Sequence, residues 1–209
     1  MAGQTPRRIG VLGGAFDPPH LAHQALAQAA CLQLQLDELR IVPTGLAWHK
    51  SRTLSASEHR LEMAQLAFAG ICQAVVDSRE TQRSGPSYTI DTLREILADT
   101  PGSELFLIIG ADQAQALTTW KAWNEIVQTA TICVAARAYS TGVSGEFDAE
   151  KLHPDCFRHI NMLSMPLCAT DIRAKIAARQ DVTAWVCDSV ARYIADHQLY
   201  QLYQNAPTV

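Results

Sequence analysis

Short apolar runs alternate along the chain with longer helix-like segments rich in Ala, Leu and Gln. A short continuous apolar run indicates a strand buried on both faces, as in parallel sheets, and Ala-rich segments favour helix. Alternating strands and helices predict an α/β fold, a Rossmann-like doubly wound parallel sheet. The predicted strands are 8–12, 38–42, 73–76, 105–109, 131–135 and 159–163, and the predicted helices are 21–36, 57–69, 90–98, a short one near 114, 170–178 and 183–197.

Polar residues before three of these helices predict how the helices begin. Ser55 and Glu58 have the spacing of a capping box for the helix at 57. Thr89 and Thr170 are predicted caps of two later helices. The segment 137–157 contains Gly142, Gly145 and Pro154 and predicts a surface loop.

Length and composition narrow the class of protein. With 209 residues the chain is predicted to form a single domain over 1–209, with a core at about 8–200. The net charge is −4 and no block of like charge occurs, which argues against a nucleic-acid partner. The six cysteines are scattered, without the spacing of a zinc site or a disulfide framework. No apolar run approaches the ~20 residues of a membrane span, and none resembles a signal peptide, so we expect a cytoplasmic protein that does not bind a membrane. An oligomer is compatible with the sequence.

The most informative segment lies between the first strand and the first helix. Gly13 and Gly14 end the strand, and His20 and His23 stand three residues apart at the start of the helix, so their imidazoles share one helix face. Glycine allows close approach of a ligand, and a helix N-terminus favours anions. The segment therefore predicts a phosphate-binding site. The chain has neither a G-x-G-x-x-G nor a Walker A loop, which excludes the dinucleotide-binding and P-loop motifs.

The segment 13–23 resembles the His-x-Gly-His signature of the nucleotidyltransferase superfamily. Its longer form is similar to that of the bacterial nicotinate-mononucleotide adenylyltransferase family. Ala15 and Ala22 stand where that family often has Thr and usually has Gly, and both are small. Further matches follow in the expected order from 10 to 200. They are Lys50 with the later pair His59-Arg60, Ser87-Tyr88-Thr89, Gly110-x-Asp112 followed by Trp120, and Cys168–Arg173, which resembles Ser-x-Thr-x-Ile-Arg with Cys168 in place of Ser.

This resemblance implies transfer of the adenylyl group of ATP to nicotinate mononucleotide, giving deamido-NAD and pyrophosphate. It implies that ATP arrives with Mg²⁺ held mainly by phosphates and water, without a dedicated protein metal site. The implied catalytic residues are His20, His23 and Arg173. The implied ATP-binding residues are Gly13, Gly14, Phe16, His20, His23, Lys50, Gly110, Asp112, Arg137, Thr170 and Arg173. The implied residues for nicotinate mononucleotide are Ala15, Lys50, Tyr88, Thr89 and Trp120, whose ring would stack on the pyridine.

Alternatives remain at this point. An enzyme specific for the amide, or one with dual specificity, differs little in sequence. A sister enzyme of coenzyme A synthesis usually has Thr at the position of His20. A nucleotide-sensing protein without catalysis is a third alternative, against which the intact His20, His23 and Arg173 argue. Whether His59 and Arg60 bind phosphate or only support the loop is open, and Trp123 is predicted to belong to the core.

Overall fold

The structure is a computed structural model that describes residues 5–45, 54–137, 148–163 and 165–201. Within these ranges six strands form one sheet in which every neighbouring pair is parallel. The strands are β1 (Arg8–Gly14), β2 (Glu38–Pro43), β3 (Ala74–Val76), β4 (Glu104–Ile109), β5 (Ala130–Arg137) and β6 (Phe157–Met162).

Helices connect the strands, and two short 3₁₀ turns, Leu117–Thr119 and Pro154–Cys156, lie between them. None of the helices in the described ranges has the length and apolar character needed to cross a membrane. The helices are α1 (Leu21–Gln33), α2 (Ser57–Phe68), α3 (Arg79–Gln82), α4 (Thr89–Asp99), α5 (Ala111–Gln115), α6 (Trp123–Thr129), α7 (Asp148–Leu152), α8 (Ala169–Ala177) and α9 (Asp188–Asp196).

Both faces of the sheet are covered, because successive side chains of a strand point to opposite faces. In β4, Phe106 and Ile108 belong to a core shared with α1, α2 and α9. Leu105 and Leu107 belong to a second core on the other face, shared with α4 and α6. Continuous apolar strands are therefore required, and the doubly wound α/β fold predicted from the sequence is confirmed.

The strand order β3-β2-β1-β4-β5-β6 places β1 at the point where the chain changes direction across the sheet. The chain moves outward from β1 to β2 and β3, then returns to β4 on the other side of β1. In such sheets ligands bind beyond the carboxyl ends of the strands at this switch point. Here that edge is formed by Gly14, Pro43 and Ile109, since Gly14 pairs with Pro43 and Leu12 pairs with Ile108.

All six predicted strands are confirmed, while three short helices were not predicted. Helices α3, α6 and α7 have 4, 7 and 5 residues, too few to establish a helical period in the sequence. Helix α7 lies within the segment predicted as a loop. The last helix begins at Asp188 rather than at 183, because the Asp181 carboxylate accepts hydrogen bonds from the backbone N–H and hydroxyl of Thr183 and holds a turn there.

The predicted helix caps are wrong in detail. The residue before α2 is Ala56, not Ser55, whose backbone groups bond elsewhere. The residue before α4 is Tyr88, so Thr89 is already helical. Helix α8 is capped by Cys168, whose Sγ accepts the backbone N–H of Asp171 at 3.4 Å. The thiol thus takes the capping role that the sequence assigned to Thr170.

Arg60 joins the loops that surround the switch point. It lies on α2, is 3% exposed, and donates to three backbone carbonyls. Its Nε reaches the oxygen of Ser55 at 2.9 Å, and its Nη1 reaches the oxygens of Ala15 at 3.1 Å and Thr44 at 2.7 Å. These carbonyls follow β1, follow β2 and precede α2. Arg60 therefore supports the loops, one of the two roles that the sequence left open.

We expect Arg60→Lys to lower the free energy of unfolding by about 2–4 kcal/mol, measured by urea denaturation. An ammonium keeps the charge but cannot reproduce the planar fork, so buried carbonyls lose their donors. The matched control is Arg192→Lys on exposed α9, which should change stability by less than about 0.5 kcal/mol. Equal effects of the two substitutions would show that the carbonyl contacts of Arg60 are unimportant.

Candidate active site

A cavity of about 420 Å³ opens at the switch point, beyond the carboxyl ends of β1, β2 and β4. The starts of α4 and α5 and the residues around Trp120 form its other walls. Seven residues that the sequence assigned to substrates line it: Gly13, Gly14, Ala15, Tyr88, Thr89, Asp112 and Trp120.

The two glycines at the end of β1 have different surroundings. A Cβ atom at Gly13 would meet no atom within 4 Å, so this glycine opens directly onto the cavity. A Cβ atom at Gly14 would lie 3.0 Å from the ring of Phe16. Phe16 itself has a φ of 47°, a left-handed conformation that is costly for an aromatic residue. Burial of its ring against Phe68 and His23, with centroids 5.6 and 5.2 Å away, offsets this cost and holds the loop.

Asp17 organises the same loop from the inside. Its side chain is 1% exposed, its Oδ1 accepts the hydroxyl of Tyr200 at 2.6 Å, and its Oδ2 accepts the backbone N–H of Ser55 at 3.2 Å. Burial and the neighbouring Asp17 carboxylate raise the pKa of Tyr200 above its usual range, so the phenol stays protonated and donates. The Asp17 carboxylate therefore connects the N-terminal motif to the end of the chain.

The two histidines of the motif lie face to face. Their ring centroids are 3.7 Å apart with an angle of 24° between the planes. The backbone N–H of His20 donates to Nδ1 of His23 at 3.2 Å. Since Nδ1 of His23 is an acceptor, the neutral ring carries its proton on Nε2, which is then a hydrogen-bond donor.

His20 is neutral at physiological pH. Burial lowers the pKa of His20 to about 4. Its Nδ1 has no partner among the described residues, so protonation there would bury an N–H without an acceptor. Two stacked imidazoles would also repel each other if both were charged. The motif thus presents neutral rings rather than two positive charges.

The start of α1 offers fewer backbone donors than the sequence predicted. The N–H of Leu21 donates to the carbonyl of Trp185 at 3.0 Å, and that of His23 donates to the carbonyl of His20 at 2.9 Å. Both groups were expected to be available to an anion. An anion at this motif would therefore depend more on side-chain N–H groups than on the backbone N–H groups of the helix start.

Arg173 brings the second motif to the first. Its Nη1 donates to the carbonyl of Asp17 at 2.8 Å and its Nη2 to the hydroxyl of Thr170 at 3.1 Å. The start of α8, with Cys168 as its cap, is thereby held beside the loop between β1 and α1. Arg173 and Asp17 are 156 positions apart in the chain, so the sequence alone gives no distance between them.

Glu80 lines the cavity on the side of β2, and Gly45 packs against its backbone. Glu80 is 8% exposed, lines the cavity, and accepts the Thr92 hydroxyl at 2.7 Å. Burial raises the pKa of its carboxyl group. A Cβ atom at Gly45 would lie 2.0 Å from the carbonyl oxygen of Glu80, so only glycine permits this approach. Lys50, which was predicted to bind phosphate, lies outside the described residues.

The remaining predicted residues lie at the same edge of the sheet. Gly110 precedes α5, and its N–H donates to the side chain of Gln113 at 3.1 Å. Arg137 is the last residue of β5 rather than the residue after it. Trp120 and Trp123 both pack against the second core, and only Trp120 also lines the cavity.

Sequence reasoning did not identify Glu80 or Lys121 as cavity residues, although the position of Lys121 beside Trp120 was a usable signal.

The low pKa of His20 predicts a pH-dependent stability. Between pH 6.5 and about 4 the unfolded chain binds a proton that folded His20 does not, so stability falls as pH decreases. From pH 7.5 to 5.0 this contribution is about 2 kcal/mol. We expect urea denaturation to show that His20→Asn loses less stability than the unmodified protein over this range, by about that amount. Identical pH slopes would contradict the burial of a neutral imidazole.

Comparison with known proteins identifies the family. The cytidylyltransferase-like family model matches residues 11–175. A protein of Albidiferax ferrireducens named a probable nicotinate-nucleotide adenylyltransferase is 60% identical over 195 residues, covering 93% of this chain and 98% of the relative. One of the same name from Methylibium petroleiphilum is 42% identical, covering 96% and 95%.

Solved structures share the fold. Nicotinic acid mononucleotide adenylyltransferase of Plasmodium falciparum, complexed with NaAD, has a TM-score of 0.72 at 18% identity, covering 93% of this chain and 97% of that chain. The same enzyme complexed with APC has a TM-score of 0.74 at 17% identity, with the same coverage. From the family model and the near full-length relatives, we conclude that this chain belongs to the cytidylyltransferase-like family and, within it, to the nicotinate-nucleotide adenylyltransferases.

Proposed function

We propose that the protein transfers the adenylyl group of ATP to nicotinate mononucleotide, giving nicotinate adenine dinucleotide and pyrophosphate in NAD biosynthesis. The observation that carries this proposal is the bond from Arg173 to the carbonyl of Asp17. It joins the start of α8 to the His20–His23 motif beside a cavity with Trp120 in its wall. The relatives named for this activity support the same conclusion.

The proposed reaction needs no enzyme nucleophile. A phosphate monoester has a second pKa of about 6, so the mononucleotide phosphate is mostly dianionic at pH 7 and attacks directly. Its oxygen forms a bond to the α-phosphorus of ATP, while the bond from that phosphorus to the bridging oxygen breaks and pyrophosphate leaves with the electron pair. The protein has to align two anions and stabilise the charge that develops on the leaving group.

Each group of the motif fits one part of this task. His23 offers Nε2–H as a neutral donor, and Arg173 offers a planar guanidinium that suits phosphate oxygens. Lys50 and Arg137 are proposed to contact phosphate and adenosine, respectively, and Asp112, Gly110 and Phe16 the nucleotide. Because neutral imidazoles donate without losing a proton, the proposed mechanism involves no proton transfer by the enzyme.

The divalent cation is part of the ATP substrate in this proposal. No group of three or more His, Cys, Asp or Glu in the described ranges could hold a metal ion. Both carboxylate oxygens of Asp17 already accept hydrogen bonds from Tyr200 and Ser55. In this proposal the oxygen ligands of Mg²⁺ come mainly from phosphates and water, as that ion prefers.

The pyridine ring is proposed to stack on Trp120, with its carboxylate toward the start of α4. The first N–H groups of a helix have no acceptor one turn earlier, and here they belong to Thr89 and Ile90, because the N–H of Asp91 donates to the carbonyl of Tyr88 at 3.1 Å. A carboxylate accepts from such donors and is favoured by the helix dipole. A carboxamide carries no charge and adds donors of its own. This difference predicts a preference for the acid over the amide.

The test of the function is the ratio of kcat/KM for nicotinate mononucleotide over its amide, with ATP, by pyrophosphate release. Loss of a charged hydrogen bond costs about 1.5–3 kcal/mol, so we expect a ratio of about ten or more. Mass analysis of the product identifies the dinucleotide. A ratio at or below one would indicate an amide-specific or dual-specificity enzyme. Absence of pyrophosphate with both substrates would indicate a nucleotide-sensing protein.

We expect His23→Asn to lower kcat by about 10²–10³-fold, the usual effect of losing one donor at a developing charge. The Asn side-chain oxygen can still accept the N–H of His20, while the ring contacts of His23 with Phe16 and His20 are lost, so the melting temperature is measured to show that the fold is retained. His197→Asn, at an exposed position after α9, is the matched control and should leave kcat unchanged. Retention of more than half of kcat in His23→Asn would contradict the assignment of His23 to the phosphates.

A further inference from the structure

We propose that Lys121 is a specificity-determining residue, whose positive charge at the pyridine end of the cavity favours a carboxylate over a carboxamide. This inference rests on the proposed function and adds a residue that the motifs of the chain do not include. The substrate class that it selects is a pyridine mononucleotide with an anionic ring substituent.

Lys121 lies at the wall assigned to the pyridine ring. It follows Trp120 directly and lines the cavity together with Trp120, Tyr88 and Thr89. Its Nζ is 4.0 Å from the centroid of the Tyr88 ring, which precedes α4. The ammonium group therefore lies beside the helix start where the substrate carboxylate is proposed to bind.

Among the described residues that line the cavity, Lys121 is the one with a cationic side chain. The acidic residues of the lining are Glu80 and Asp112. The carboxyl group of Glu80 accepts the Thr92 hydroxyl at 2.7 Å. Asp112 lies on α5, at the wall assigned to ATP. Lys121 is therefore the cationic side chain of the lining that a substrate carboxylate at the pyridine end would face.

Asp91 partly offsets that field. Its Oδ2 lies 3.3 Å from Nζ of Lys121, and its Oδ1 lies 3.2 Å from Nη1 of Arg94. Arg94 also pairs with Glu125 at 2.6 Å, and neither Arg94 nor Glu125 lines the cavity. The Asp91 carboxylate is therefore shared between Lys121, on the cavity side, and Arg94, on the outer side. The two cations can be removed separately, with the same change in net charge.

The expected effect of Lys121 on the acid-to-amide ratio is limited by the exposure of its side chain to water. The side chain of Lys121 is 50% exposed, so water screens its charge, and the pair with Asp91 reduces it further. An exposed charge pair typically changes a free energy by up to about 1 kcal/mol, which corresponds to a factor of about five. A neutral amide lacks the charge on which this field acts. The acid-to-amide ratio is therefore the quantity that should respond.

The experiment measures kcat/KM for both mononucleotides in four full-length variants at low and high ionic strength. We expect Lys121→Gln to lower the acid-to-amide ratio about three- to fivefold and Lys121→Arg to retain it. Asp91→Asn, which removes the competing carboxylate, should raise the ratio. Arg94→Gln, the matched control, removes the same charge outside the cavity and should change the ratio less than Lys121→Gln does. High salt should reduce the differences, because exposed charges are screened.

The outcomes separate the inference from the function on which it rests. An unchanged ratio in Lys121→Gln, or equal changes in Lys121→Gln and Arg94→Gln, overturns the role of Lys121 alone. A parallel loss for both substrates in Lys121→Gln makes it a wall of the cavity without selectivity and overturns the inference as well. Lack of acid preference in the unmodified protein overturns the proposed function instead. The increase expected for Asp91→Asn tests the same field even if Lys121→Gln does not fold.

Discussion

The active-site edge of this protein depends on one buried guanidinium. Arg60 donates to the carbonyl of Ala15 in the connection from β1 to α1, and to the carbonyls of Thr44 and Ser55 at the two ends of the connection from β2 to α2. Buried carbonyls without donors are costly, so the guanidinium stabilises both connections. Asp17 adds a second connection, because its carboxylate accepts from both Ser55 and Tyr200. Both contacts tie the connection from β1 to α1 to residues that are distant in the sequence.

In the proposed reaction the site holds two polyanions, and the first motif contributes to it without concentrated positive charge. His20 is neutral because it is buried, and His23 is held as a donor through Nε2 because its Nδ1 accepts a backbone N–H. Positive charge enters through Arg173, which is already oriented by Asp17 and Thr170. Donors that are oriented before the substrate arrives need no rearrangement during the reaction. A chain with a net charge of −4 can therefore bind phosphates through local geometry.

Sequence patterns predicted the strands better than the helix boundaries, for a physical reason. A strand buried on both faces must be continuously apolar, and this signal is local. A cap depends on where the chain enters the helix: α2 is entered at Ala56, while the backbone N–H and carbonyl of Ser55 bond to Asp17 and Arg60. At α8 the residue in the capping position is Cys168, whose thiol sulfur accepts a hydrogen bond less strongly than the hydroxyl oxygen expected there. The short helices α3, α6 and α7 contain too few residues for any periodic signal.

The sequence by itself determined the fold class, the family and the glycine–histidine motif at the first strand-to-helix turn, because these depend on residues that are neighbours in the chain. Only the tertiary structure decided which distant groups meet. The contact of Arg173 with Asp17, the approach of Gly45 to Glu80, and the entry of Lys121 into the cavity wall all depend on how helices pack on the sheet. The protonation of His20 belongs with these, since its pKa is set by burial and not by the identity of the residue.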